Sequence, residues 1–449
     1  MTFRVATFRA ARPSLDVWAL PSVPVPDLRP FRGLRYAPAD SARLAASLCP
    51  PYDVISVSER AWLAAADKHN AVHLELPEAP TGDPAEDAYA HAARLLDEWV
   101  VSGALVRDQS PAIYVYEQRF TLSDGSEHVA RSFFARLRLE AYGPGSGVRP
   151  HELTMSAPKE DRFRLLSATQ TNLSPVLLLY DDQARGAASA ALLRQLTDAP
   201  AALDTQGPGG VGQRIWVADP ERVPAAAKLL QLAAAGPLDI ADGHHRYETA
   251  LRYQAQPGAP PGADFVLVLL YDAHSGGLQL LPWHRLIGGV SDGAAVVDAG
   301  RGLFAVEMMP DADELLSRLS NSSKPGLIGL WTRDGGALLR VERDRVDSML
   351  GSGSDELRWL DVNVLSATLR GMIGSSTEEL LAADCLSYVS DAAQAVAAVD
   401  AGRADVTFLL RPTPIASVLA VAAHGEHMPA KSTYFHPKAA TGLVFNRLD

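Results

Sequence analysis

Short apolar runs of strand length recur along this chain, each bounded by turn residues and followed by an alanine-rich or amphipathic stretch. That alternation restricts the fold more than any other feature. Pro175 to Tyr180, Leu238 to Ala241 and Phe265 to Tyr271 are continuous apolar segments, the pattern of strands buried on both faces. Ala112 to Phe120 alternates, Ser123-Asp124-Gly125-Ser126 makes a turn, and Val129 to Leu139 returns, so a hairpin is expected. Helical spacing marks 83–103, 184–198, 223–235 and the stretch that ends at Tyr253. The last third repeats the alternation, with helices over 312–319, 361–373 and 391–399 and strands over 326–331 and 406–410. The expected fold class is α/β (or α+β).

A chain of 449 residues is too long for one simple core, which predicts two lobes around a central cleft. The divisions are an extended, proline-containing arm over 1–29, a main catalytic region over 30–290, and a C-terminal α/β lobe over 291–449 whose final segment returns to the cleft. Residues 203–213, with four glycines and a proline, read as a mobile connection. The net charge of -12 repels nucleic acid and anionic membranes, so neither is an expected partner. Cys49 and Cys385 lie far apart without a CxxC spacing, which excludes a disulfide framework and a cysteine-rich zinc site. No leader-like N-terminus and no apolar stretch of spanning length is present, so a reducing cytoplasm is the expected location. The chain has no GxxxxGK[ST] loop, GxSxG elbow or HExxH pair, and no GxGxxG behind a predicted strand.

The sharpest local signal is Leu238-Asp239-Ile240-Ala241-Asp242-Gly243-His244-His245-Arg246-Tyr247-Glu248-Thr249-Ala250-Leu251. It reads as strand, glycine turn, helix. Gly243 permits a tight turn and close approach of a ligand to the backbone. The helix that follows turns its unbonded N–H groups and positive dipole end toward the loop, which favours an anion. Arg246 adds a fork of donors matched to phosphate. Asp242, His244 and His245 crowd the same turn with groups suited to proton transfer or metal binding.

Three further clusters accompany it. His151-Glu152-Leu153-Thr154, then Pro158-Lys159-Glu160-Asp161-Arg162 and Asn172, supply cations for phosphate oxygens (Lys159, Arg162) and carboxylates for Mg²⁺ (Glu152, Asp161). The plainer reading of the charged run is a salt-bridged helix start. Met428-Pro429-Ala430-Lys431-Ser432-Thr433-Tyr434-Phe435-His436-Pro437-Lys438 is unusually aromatic for a near-terminal segment and is expected to reach back into the cleft. There Lys431, Ser432 and Thr433 would hold an anionic ligand, with Lys438 adding charge. In Arg32 and in Pro51-Tyr52-Asp53, the rigid backbone can present Tyr52 and Asp53 to a substrate. His151 and Asn172 are also candidate substrate contacts, and His284 reads as a structural hydrogen-bonder.

Over nearly its whole length the chain resembles a bacterial and archaeal family known as a domain of unknown function. The resemblance rests on PFRGLRY (30–36), PPYDVI (50–55), HELT (151–154), PKEDR (158–162), ADGHHRYETAL (241–251) and MPAKSTYFHPK (428–438). The DGHHR box also resembles the phosphate-binding box of the ParB and sulfiredoxin superfamily, which includes nucleotide-dependent kinases of free serine. That resemblance implies ATP or ADP with Mg²⁺ as cofactors and His244, His245 and Arg246 on the phosphates. It also implies Asp242 as the base toward a hydroxyl, possibly that of L-serine. Two other readings stand beside this one. A metal-dependent hydrolase would need His151, His244 and His245 to converge on one ion. A regulatory nucleotide-binding protein would bind without turnover.

Overall fold

The computed structural model describes residues 25–38, 40–80, 87–143, 145–152, 156–183, 187–322 and 325–449. Most of the expected N-terminal arm, and Leu153 with Thr154, lie outside them. The end of the arm is not free: Leu28–Arg29 pairs antiparallel with Arg136–Leu137.

The first lobe is built on a nine-stranded mixed sheet. From one edge its order is Val148–Arg149, Leu238–Asp242, Val176–Tyr180, Phe265–Asp272, Glu127–Arg138, Ile113–Thr121, Gly212–Ala218 and Leu203–Gln206, with Leu28–Arg29 also on Glu127–Arg138. The expected hairpin forms its middle, and Gly125 supplies the left-handed turn residue, at φ 82°. Every residue of Phe265–Asp272 is buried, because both faces of the sheet are covered. Val266, Val268 and Leu270 pack with Leu229, Ala233 and Tyr247 from the helices. Leu267, Leu269 and Tyr271 enter a core shared with Ile287, Ile328 and Phe408 of the second lobe. The period-two alternation of a strand thus divides one apolar run between two cores.

Residues 203–213 are not a loose connection. Leu203–Gln206 and Gly212–Ala218 pair antiparallel, Gln206 opposite Gly212. The run between them fits the GxGxxG spacing and does follow a strand, but apart from a single 3-10 turn over Pro208–Gly210 it leads back into a strand and opens no α-helix. A Rossmann site is excluded by topology, whatever the spacing.

The second lobe is a six-stranded sheet in the order Phe304–Met309, Gly335–Val341, Leu327–Thr332, Val406–Leu409, His284–Ile287 and Leu386–Val389, antiparallel throughout. It begins at His284, a few residues before the expected boundary at 290. Helices Ala312–Ser320, Asp361–Ile373 and Ala392–Asp400 match the sequence reading closely. The class is mixed α/β, and the mainly antiparallel pairing makes it the α+β variant.

After helix Ile415–Ala423 the chain crosses back to the first lobe. The Met428 N–H donates to His151 O at 2.7 Å. Tyr434–His436 pairs with Gln279–Leu281, and Asn446–Arg447 with Thr171–Asn172. Phe435, Phe445 and Leu448 are buried, which is why this terminus carries aromatic residues. Among the described residues no helix is long and apolar enough to cross a membrane.

Candidate active site

The strand Leu238–Asp242 ends at Gly243, whose φ of 88° is left-handed, and helix His244–Gln254 starts at once without a side-chain cap. The helix N-terminus therefore opens onto a cleft of about 320 Å³. Its walls come from five places in the sequence: Tyr52 and Asp53, Glu152, Asp242 to Arg246, Trp283, and Lys431, Thr433 and Lys438. The returning C-terminal segment completes the site.

Asp242 is its electrostatic centre. Its carboxylate accepts from Arg246 Nη2 at 2.6 Å and forms a second ion pair with Lys438. Burial works to raise its pKa, but Lys438 and Arg246 together outweigh that and hold the carboxyl well below the usual range. A carboxylate so firmly paired is a poor proton acceptor, so the expectation that Asp242 is the base is corrected to a role in positioning the two cations. Arg246 also bonds to Pro175 O. A Cβ on residue 243 would stand 2.9 Å from Arg246 Nε, so both the turn and the folded-back guanidinium require glycine.

Glu152 behaves in the opposite way. Burial raises its pKa to about 7, against the lowering effects of the Lys431 backbone N–H and ammonium. Its proton is exchangeable near neutral pH.

His151 and His244 form a buried support, and His245 is half-buried. His151 is fully buried, bonds through Nδ1 to Ile240 O at 2.5 Å, and lies 3.2 Å from Thr433 Oγ1 through Nε2. Its backbone N–H donates to His244 Nε2 at 3.3 Å, and the two rings meet edge to face at 4.9 Å. Burial lowers His151 to about 4 and His244 well below its ordinary value, and His245 is lowered by burial and by Lys159. All three are neutral near pH 7. They donate or accept hydrogen bonds but bring no positive charge to a phosphate. With both ring nitrogens of His151 engaged, the three histidines do not converge on one ion. Among the described residues no group of three or more His, Cys, Asp and Glu is arranged to hold a metal.

Several sequence-predicted residues lie elsewhere. Lys159 pairs with Glu248, and Asp161 with Arg162 and with the Tyr89 hydroxyl at 2.9 Å. None of these lines the cleft, so the charged run is the salt-bridged helix start that was its plainer reading. Asp161 and Glu152 are not partners for one Mg²⁺. Arg162 is buried and bonds to Glu75 O at 2.8 Å. It reaches the site only through its guanidinium 4.2 Å from the centre of the Tyr52 ring. Arg32 is exposed and holds Asp108 O at 2.9 Å. Asn172 is buried, accepting from Leu267 N–H and from Asn446 Nδ2, so it ties down the C-terminal segment. Ser432 is turned inward, its hydroxyl on Pro429 O at 2.5 Å. His284 accepts from Leu410 N–H at 3.1 Å, a structural role as expected.

Two residues of the cleft were undervalued. Lys438 was seen only as added charge, although its segment carried the family resemblance. Trp283 carries no role in the reading of the sequence above. Its Nε1 donates to Thr433 O at 3.1 Å, and Lys431 Nζ stands 4.7 Å from its ring centre. A tryptophan following a strand at the lobe boundary was the available signal.

The chain is a mixed α/β protein built on two main sheets, with a helix N-terminus lining a cleft that the returning C-terminal segment completes. The chain belongs to the family described as Protein of unknown function (DUF1015), whose profile matches residues 28–363. No curated protein matches it. Among solved structures it is similar to a free serine kinase in complex with AMP, at 15% identity over 64% of this chain and 83% of that one, TM-score 0.35. A conserved hypothetical protein from Pyrococcus furiosus is similar at 14% identity, covering 67% and 92%, TM-score 0.35. SbnI from Staphylococcus aureus, truncated at its C-terminus, gives 14%, 66% and 83%, TM-score 0.34. These overlaps are too loose to carry residues across.

Proposed function

We propose that this protein transfers a phosphoryl group from a nucleoside di- or triphosphate to the hydroxyl of a small molecule. The observation that carries the reading is the pairing, in one cleft, of an uncapped helix N-terminus flanked by Lys431 and Lys438 with a carboxyl, Glu152, that titrates near neutrality. The terminal phosphate sits against the helix N–H groups and the two ammonium groups, which suit its charge. As the acceptor oxygen forms its bond to phosphorus, the bond to the nucleotide's leaving oxygen breaks and the hydroxyl proton passes to Glu152. Asp242 fixes Lys438 and Arg246, and the neutral histidines hold the strand and the returning segment in register.

Asp53 lines the same cleft, which fits the one or two carboxylates that Mg²⁺ takes beside phosphate oxygens. Bound there, the ion would screen the phosphate charge. The acceptor is a small hydroxyl compound, with free L-serine the first to try. The test is turnover of ATP and ADP with Mg²⁺ against a panel of hydroxy amino acids, comparing wild type with Glu152→Gln. Acceptor-dependent transfer lost in the variant supports the reading. Nucleotide binding without turnover would turn it toward a regulatory protein.

A further inference from the structure

The cleft at the helix N-terminus is small for two substrates. Ligand pockets usually span roughly 300–1,000 Å³, and about 320 Å³ lies at the lower end of that range, a size suited to an acceptor and the phosphates. A second cavity of about 400 Å³ adjoins it. Lys438 lines both, and Pro51 of the second is the chain neighbour of Tyr52 in the first. The two other large cavities share no lining residue with the first cleft, and the one that shares Arg246 is about 50 Å³.

The chemistry of the second cavity differs from that of the first. Its lining mixes polar groups with planar or rigid apolar ones: Pro50 and Pro51, and Phe120 beside His436, with ring centres 5.0 Å apart. Burial lowers the pKa of His436, so near neutral pH its ring is an uncharged planar surface. Glu59 supplies a carboxylate, a group that accepts from paired hydroxyls. Pro208, Gly209 and Gly210 also line it.

Resting on the reading of the first cleft as a phosphate site, we propose that this second cavity binds the nucleoside end of the nucleotide. The base lies between the proline and aromatic walls, the ribose hydroxyls meet Glu59, and the phosphates pass Lys438 to the helix N-terminus. Aromatic and proline surfaces hold a planar base by contact and stacking, which tolerates different bases. Glu59 should therefore contribute to sugar recognition, and base selectivity should be weak.

The experiment is calorimetric binding of ADP and of inorganic tripolyphosphate to the full chain and to two variants. Val54→Trp fills the second cavity from a partly exposed position, and Phe120→Ala removes a wall. Each should weaken ADP roughly tenfold, the factor expected for one lost base contact, and leave tripolyphosphate unchanged. If Phe120→Ala fails to fold, Val54→Trp alone decides. Wild type that binds ADP with the variants unaffected would overturn this inference and leave nucleotide use intact. Equal affinity for ADP and tripolyphosphate would also overturn it, with the phosphate site preserved. Binding of neither would overturn both this inference and the reading it rests on.

Discussion

Replacing Glu152 by glutamine should stabilise the protein while disabling it, and the size of the effect can be worked out. The folded-state pKa of about 7 against an ordinary 4.5 is a difference of about 2.5 units, or about 3 kcal/mol. Because the folded value lies above the unfolded one, the protonated carboxyl is favoured by folding. Its advantage is complete below about pH 4.5 and is lost as the pH rises through about 7. Glutamine never ionises. Glu152→Gln should therefore match the wild type near pH 4.5 and exceed it by up to about 3 kcal/mol near pH 8.5. Urea unfolding at a series of pH values reads this difference directly. The same variant should lose about 10²- to 10⁴-fold in turnover, and wild-type kcat/KM should rise about tenfold per pH unit below about 7 and then level off. A stability difference that does not change with pH, or an acid limb centred in the ordinary carboxylate range, would refute the reasoning.

Lys438→Met leaves the buried Asp242 carboxylate with Arg246 alone, and should cost about 3–5 kcal/mol. The double variant with Asp242→Asn should recover part of that loss in a denaturation cycle. Gly243→Ala forces an L side chain to φ 88° and against the Arg246 guanidinium. It should cost at least about 1–2 kcal/mol and reduce turnover, seen by thermal unfolding and initial rates. Lys159→Ala breaks a pair with Glu248 outside the cleft. Its unfolding free energy should change by less than about 1 kcal/mol, with kcat/KM unchanged.

The strand–glycine–helix at Leu238 to Gln254 was legible because strand propensity, a left-handed glycine and helical spacing agree over a short stretch. The return of the C-terminus was legible from Phe435 and Lys438, residues out of place in a frayed tail. The sheet topology was not. The pairing of Gln206 with Gly212 and of Asn446 with Asn172 depends on partners that local pattern cannot name. The PKEDR run misled because Lys159, Asp161 and Arg162 would serve a phosphate site or a surface network equally well, and only the three-dimensional neighbours Glu248, Tyr89 and Glu75 decide. The pairing of Asp242 was not legible, since its two cations come from one turn onward and from the far end of the chain.

The most direct test of the central claim is ³¹P NMR of ATP or ADP with Mg²⁺ and each hydroxyl acceptor in turn, with wild type and Glu152→Gln. A new phosphomonoester resonance that requires both the acceptor and Glu152 is the result this account predicts. Unchanged nucleotide with every acceptor, while the nucleotide is bound in the cleft, would contradict it.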